Sequence, residues 1–107
     1  MSVKQQIIEH LEEFTGEQNQ STLLAIYDKY RLSAIESVEK LDAAMASGDF
    51  TLMYDISHAL KGSSNVVGFN DLWQHVALFV EGTKVHDIDK CKAEFEHIRL
   101  LVSDLEE

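Results

Sequence analysis

The chain is 107 residues long, with 45% hydrophobic residues, 26% charged residues and a net charge of −10. A chain of this length supports one hydrophobic core, and its composition is that of a globular protein rather than a disordered one. The acidity excludes nucleic acids and anionic membrane surfaces as partners, because both attract positively charged proteins. We therefore expect a single domain over residues 1–107.

The cellular location follows from two features of the sequence. Cys91 is the only cysteine, so an internal disulfide is impossible and a reducing compartment is the natural setting. The sequence lacks the ~20 consecutive apolar residues of a membrane span, and its first residues lack the apolar stretch of a secretory signal. Both features predict a cytoplasmic protein.

Five segments carry apolar residues at the three- and four-residue spacing of amphipathic helices. They are predicted at residues 2–14, 20–46 and 50–66, between Asn70 and Gly82, and from about Asp87 onward. Gly16, Gly48, Gly68 and Gly82 are expected to separate them. The apolar positions are Val3, Ile7, Leu11 and Phe14; Leu23, Tyr27, Tyr30, Ala34, Val38, Leu41 and Met45; Phe50, Met53, Ile56, Ala59, Leu60 and Val67; Leu72, Val76, Phe79 and Val80; and Ile88, Cys91, Phe95, Ile98, Val102 and Leu105.

This arrangement predicts an all-α fold. The links between the segments are short, and short links favour antiparallel packing of successive helices. Four of the segments are long enough to form a bundle. The expected architecture is an up-down antiparallel four-helix bundle, with an additional N-terminal helix that packs across one end or side.

The stretch from His58 to Ser64 is unusual for a helix interior, because glycine there costs about 1 kcal/mol relative to alanine. Either the helix ends at Gly62 and a loop follows, or it continues and the small residues have a role. The apolar positions on both sides of Gly62 stay in phase, which favours a continuous helix. In such a helix His58, Lys61 and Gly62 are neighbours on a face turned toward solvent.

These three residues together suit phosphoryl transfer. An exposed imidazole is largely neutral at cytoplasmic pH, and its nitrogen is then a nucleophile. Phosphoryl transfer depends mainly on positioning and on stabilisation of charge, and Lys61 would offer an ammonium to the phosphoryl oxygens. Gly62 would leave space beside the ring for the active site of another protein, and the small Ser63 and Ser64 would let the helix approach its neighbours closely.

The residues that follow His58 also form a recognisable motif. The chain reads His58-Ala59-Leu60-Lys61-Gly62-Ser63-Ser64, followed by Gly68, Leu72, Phe79 and Glu81. This pattern resembles that of histidine phosphotransfer (HPt) domains, the four-helix modules of bacterial and eukaryotic phosphorelays. Their pattern is His-x-Leu-Lys-Gly and two small residues, with a second glycine ten positions after the histidine, where this chain has Gly68. The resemblance is close over the third and fourth helices and extends to the whole chain in length and helix order.

The resemblance implies a role for each motif residue. His58 would be phosphorylated, Lys61 would assist the phosphoryl group, Gly62 would give the partner access, and Gly68 would form the turn after the third helix. The implied partners are response-regulator receiver domains, each with a phosphorylated aspartate and its own Mg²⁺, and a hybrid sensor histidine kinase. Such a domain has no kinase activity and holds no cofactor or metal. We expect a monomer, because the face with His58 must stay free.

The docking surface is the least specific part of this interpretation. We predict that it includes Tyr54, Asp55, Asn65, Leu32 and Ile35. Among the remaining titratable residues, three histidines are expected at the surface and one at the edge of the core, and the cysteine is expected to be buried. They are His10, His86 and His97, then His75, and Cys91.

Two functions of other classes remain as alternatives. Di-iron helical bundles carry Glu-x-x-His motifs on two inward-facing helices, and this chain has Asp55-x-x-His58 and Glu94-x-x-His97. Neither motif lies on an apolar stripe, however, and the second helix has no glutamate on its stripe. A helical adaptor without chemistry would also explain the fold, but it would not explain the glycine at position 62.

Overall fold

A computed structural model describes residues 1–106, which form five α-helices and no strand. The helices are α1 (Val3–Thr15), α2 (Gln20–Ser47), α3 (Phe50–Val66), α4 (Asn70–Lys84) and α5 (Ile88–Ser103). The predicted all-α class is confirmed. The predicted helix boundaries agree within one or two residues, except at the end of α4.

Helix starts and ends follow from polar side chains and glycines at the boundaries. The side chains of Ser2, Asn19, Asp49 and Asp87 each accept a hydrogen bond from the backbone N–H three residues later. Helices α1 and α2 end at Gly16 and Gly48, which have the left-handed conformation that glycine adopts easily. These caps define both ends of α1 and α2 and the starts of α3 and α5.

The predicted end of α4 at Gly82 is wrong, because the helix continues to Lys84 and Gly82 is buried within it. A Cβ at Gly82 would lie 2.9 Å from Cys91 Sγ. The glycine therefore lets the start of α5 approach α4 closely, and it acts as a packing residue rather than a helix stop. The exposed His86, with a φ of 53°, occupies the left-handed region after the helix instead.

The core lies between four helices that contact one another in a ring. Helix α3 packs against α2 and α4, and α5 packs against α4 and α2. Nearly all of the predicted apolar positions are buried or pack against the buried residues, and Cys91 is fully buried as expected. Two predicted positions are wrong: Phe14 is 67% exposed and Ala59 is exposed, because each lies beyond the edge of its helix stripe.

Helix α1 packs against α2 and is fastened to the end of α3 by His10. The Nε2–H group of His10 donates to the carbonyl of Val66 over 3.1 Å, so this histidine is half-buried rather than at the surface as predicted. Its ring lies against Gly68, which has a φ of 73° and forms the predicted turn after α3. The additional N-terminal helix thus covers the α3–α4 turn.

Of the helices described between residues 1 and 106, none combines the length and the apolar character needed to cross a bilayer.

Gly68→Ala tests the contact between His10 of α1 and the α3–α4 turn. The left-handed conformation and the 2.6 Å approach of a new Cβ to His10 Cγ should together lower the free energy of unfolding by about 2–4 kcal/mol. Gly48→Ala is the matched control, because Gly48 is also left-handed but has open space; it should cost only about 1 kcal/mol. Urea unfolding would measure both. Equal losses in the two variants would show that the His10 contact contributes nothing.

Candidate functional site

Helix α3 runs without a break through the glycine and serines that follow His58. Ser64 is fully buried, and its Oγ shares a 2.8 Å hydrogen bond with the Tyr30 hydroxyl of α2. Burial raises the pKa of Tyr30 to about 12, so the hydroxyl is neutral at physiological pH. The prediction of a continuous helix is confirmed. A hydrogen bond links the turn of α3 that contains the glycine and serines to α2.

Two further serines are satisfied within α3 itself. The hydroxyls of Ser57 and Ser63 donate to the carbonyls of Tyr54 and Leu60, over 3.2 and 3.1 Å. Serines that bond to the preceding turn in this way leave no unpaired hydroxyl against the neighbouring helices. The small side chains therefore allow close packing of α3 without a polar penalty.

His58 projects from the outer side of α3, where its side chain is exposed. Its ring stacks on that of Tyr54, one turn earlier, with 5.3 Å between the ring centroids and 21° between the planes. Tyr54 is half-buried, so it restricts the imidazole on one side. The imidazole is therefore accessible to solvent, with one face turned toward the Tyr54 ring.

His58 lies at the edge of an open depression of about 300 Å³ between α3 and α4. Lys61, Gly62, Asn65 and Trp73 line the rest of it. Lys61 Nζ lies 5.9 Å from the centroid of the Trp73 ring, within the range of a cation–π interaction. The structure therefore brings the imidazole and the ammonium to one concave surface.

Trp73 is the site residue that sequence reasoning missed. It is the only tryptophan and lies next to Leu72 on the α4 stripe, half-buried rather than in the core. The only hint in the sequence was its position, one residue from the apolar stripe of α4. Its proximity to Lys61 could not be read from spacing, because it depends on how α3 and α4 face each other.

Gly62 has open space where a side chain would be. Apart from its two neighbours in the chain and the nearby backbone of its own helix, a Cβ on Gly62 would meet no atom of residues 1–106 within 4 Å. Its backbone is helical, so no left-handed conformation requires glycine either. Nothing in the packing of the described chain accounts for this glycine, in contrast to Gly68 and Gly82.

The residues predicted for the docking surface do not form one patch. Asn65 lines the depression with His58, and Asp55 is exposed one turn before the histidine on α3. Ile35 instead lines a separate depression of about 430 Å³ between α2 and α5. Leu32 is 57% exposed on α2, about 200° around the helix from the buried Tyr30. The structure therefore brings Tyr54, Asp55 and Asn65 near His58, but not Ile35.

The Glu-x-x-His motif of α5 lies at a different helix pair. His75 Nδ1 donates to Glu94 Oε2 over 2.7 Å, and the His75 ring stacks on His97 with centroids 4.4 Å apart. His75 is half-buried, and His86 and His97 are exposed, as predicted. Within residues 1–106, no group of three His, Cys, Asp or Glu side chains is arranged to hold a metal ion.

Comparison of the chain with models of protein families, with curated proteins and with solved structures found no significant match.

Gly62→Ala should stabilise the protein. The substitution adds a good helix former where there is room for it, and it should raise the free energy of unfolding by about 0.5–1 kcal/mol. Gly82→Ala makes the same chemical change within a helix but places the Cβ against Cys91, so it should destabilise. Urea unfolding of both variants would measure the contrast. A loss of stability in Gly62→Ala would mean that the glycine serves the fold.

Proposed function

We propose that this chain is a histidine phosphotransfer protein, which accepts a phosphoryl group on His58 from a receiver-domain aspartate and passes it to another. The observation that carries the proposal is the open space at Gly62 beside an exposed imidazole. A helix-interior glycine that costs stability and serves no internal contact is explained if another protein must approach the ring closely. The motif around His58 points to the same function.

The transfer would follow from the geometry of the depression. The lone pair of the unprotonated imidazole nitrogen attacks the phosphorus of the aspartyl phosphate, and an N–P bond forms as the bond from phosphorus to the aspartate oxygen breaks. The partner's carboxylate leaves with that electron pair. The reverse reaction at a second receiver returns the imidazole to its starting state. The chain itself would therefore act as a carrier, without kinase activity.

Lys61 would stabilise the phosphoryl group during and after transfer. It lies one turn from His58 on the same depression, and the adjacent Trp73 ring favours an ammonium at that position. A cation there balances charge that builds on the phosphoryl oxygens. The Mg²⁺ that such transfer needs would belong to the receiver domain, and the chain would need no cofactor.

The proposed partners are receiver domains of response regulators and of a hybrid sensor histidine kinase. Such partners are cytoplasmic, and the reduced, buried Cys91 is compatible with that compartment. We further propose that the chain acts as a monomer, since the depression with His58 must be open to each partner in turn.

The proposed function also implies a finer description of the fold. We infer that α2, α3, α4 and α5 run alternately up and down as an antiparallel four-helix bundle. Support comes from the ring of contacts between them and from links of only two or three residues. In that arrangement His58 lies near the middle of one long side, where a partner domain can reach it.

Loss of labelling in a His58→Gln variant tests the proposal directly. Wild-type chain incubated with a ³²P-labelled, Mg²⁺-loaded receiver domain should gain an acid-labile, alkali-stable phosphate, and His58→Gln should gain none. His97→Gln is the matched control, because His97 is also exposed and helical, and it should be labelled normally. Label that survives in His58→Gln would refute the assignment. Binding of receivers without labelling would favour the adaptor function, and about two tightly bound irons per chain would favour the di-iron one.

A Gly62→Gln variant should keep its fold and lose transfer.

Lys61→Ala should slow transfer by at least about tenfold, because it removes the charge that faces the phosphoryl oxygens. Urea unfolding should show little change, since the lysine is on the outer side of α3. Lys92→Ala removes an exposed lysine from α5 and should transfer at the wild-type rate. Single-turnover kinetics would compare the three proteins. Identical rates would remove Lys61 from the mechanism.

A further inference from the structure

The depression between α2 and α5 is the size of a small-molecule site. Its volume is about 430 Å³, and such sites usually measure roughly 300–1,000 Å³. Its lining comes from α2, from α5 and from Leu105 just beyond α5, and not from the helices that carry His58 and Trp73. The depression is therefore separate from the proposed phosphotransfer site, and what it binds is an independent question.

Both arginines of the chain line this depression, although they lie on different helices, Arg31 on α2 and Arg99 on α5. Arg99 Nη2 lies 2.9 Å from Glu96 Oε2, so a residue of its own helix already balances its charge. Glu39 also lines the depression, two turns from Arg31 on α2 and about 12 Å away along the helix axis. Glu39 is too far along the helix to pair with Arg31.

The guanidinium of Arg31 has an unmet hydrogen bond. Its side chain is only 13% exposed, and Nε is shielded from solvent and has no hydrogen-bond partner within residues 1–106. Asp28 Oδ1 lies 3.7 Å from Nε, which is longer than a hydrogen bond. In this part of the chain Nε is the only buried side-chain nitrogen or oxygen atom without a partner. Because an unpaired donor on a buried cation is costly, this atom indicates a missing acceptor.

Most of the remaining lining is apolar. Ile35 and Val38 contribute it from the side of α2, and Val102 and Leu105 from the side of α5. Small-molecule sites commonly combine an apolar surface with a few polar groups that fix the orientation of the ligand. An occupant that suits this lining has an anionic group for Arg31 and an apolar body.

We propose that the α2–α5 depression binds a small aliphatic monocarboxylate, whose carboxylate is held by Arg31 and whose hydrocarbon chain lies over Ile35 and Val102. A carboxylate matches the planar guanidinium, because it can accept two parallel hydrogen bonds from it. A second negative charge on the ligand would be repelled by Glu39 and by a chain of net charge −10. The ligand class is therefore a monoanion and not a phosphate ester or a dicarboxylate.

Titration of the full chain with sodium octanoate, followed by ¹H–¹⁵N NMR, tests the inference. The chain has only two arginine Nε–H signals, and an Arg31→Lys variant identifies them. We expect the Arg31 signal and the backbone amides of Ile35 and Val102 to shift together with one Kd. Octan-1-ol keeps the hydrocarbon chain without the charge, and acetate keeps the charge without the chain. Each should bind at least about tenfold more weakly than octanoate.

Two substitutions, each with a matched control, test the two halves of the site. Arg31→Gln should raise the Kd for octanoate about tenfold, since it removes a charge-assisted hydrogen-bonding group. Lys40→Gln removes an exposed cation of α2 outside the depression and should leave the Kd unchanged.

Ile35→Glu places a carboxylate where the hydrocarbon chain would lie, and it should abolish binding. Leu32→Glu makes a similar change at an exposed apolar position of α2 that does not line the depression, so it should bind normally.

An absence of shifts up to about 20 mM octanoate would overturn the inference, because binding that weak is not a specific site. Equal binding of octanoate and octan-1-ol, or an unchanged Kd in Arg31→Gln, would also overturn it. Either result would mean that apolar molecules enter the depression without recognition of a carboxylate. No step of the titration involves phosphate, so its failure would be distinct from a failure of His58 to take label.

Discussion

The hydrogen bond between Tyr30 and Ser64 holds α2 to the turn of α3 whose composition least favours a helix. Ser64 is fully buried, so its hydroxyl would be an unsatisfied polar group in the core without this partner. Together with the burial of Met53 and Leu60, the bond sets how α3 is rotated about its axis. Because residues three and four apart share a face, that rotation decides where His58 and Lys61 point. The outer side of α3 is thus arranged by contacts on its inner side.

Three glycines differ in whether the fold requires them. Gly68 is required by a left-handed turn beneath His10, and Gly82 is required by the close approach of α5. Gly62 satisfies neither requirement, and a side chain there would project into open space. The same residue type therefore has a structural explanation at two positions and none within the described chain at the third. That difference is the physical basis for the proposal that Gly62 serves an intermolecular contact.

Much of the fold could be predicted from spacing, because each helix buries one stripe and the stripes repeat at helical intervals. The continuity of α3 was accessible for the same reason, since Leu60 and Val67 stay in phase across Gly62. The end of α4 could not be predicted in this way, because a glycine that ends a helix and one that lets a neighbouring helix approach look alike in sequence. Phe14 was misjudged because nothing in the spacing shows where a stripe runs out at the end of a helix.

The site could be predicted only in part, for a related reason. His58, Lys61 and Gly62 lie on one helix, so their proximity follows from periodicity alone. Trp73 belongs to α4, and Ile35 faces the α2–α5 depression. Which of them borders the histidine depends on the order of the helices around the core. A single sequence contains no direct signal of that order.

The placement of the only tryptophan has an optical consequence. The indole of Trp73 shares its depression with the imidazole and has the ammonium of Lys61 close to its face. Its emission is therefore sensitive to any event that draws that ammonium away or excludes water from the groove. The depression that His58 lines thus contains an intrinsic fluorophore, so entry of another molecule into it should be measurable by fluorescence without an added label.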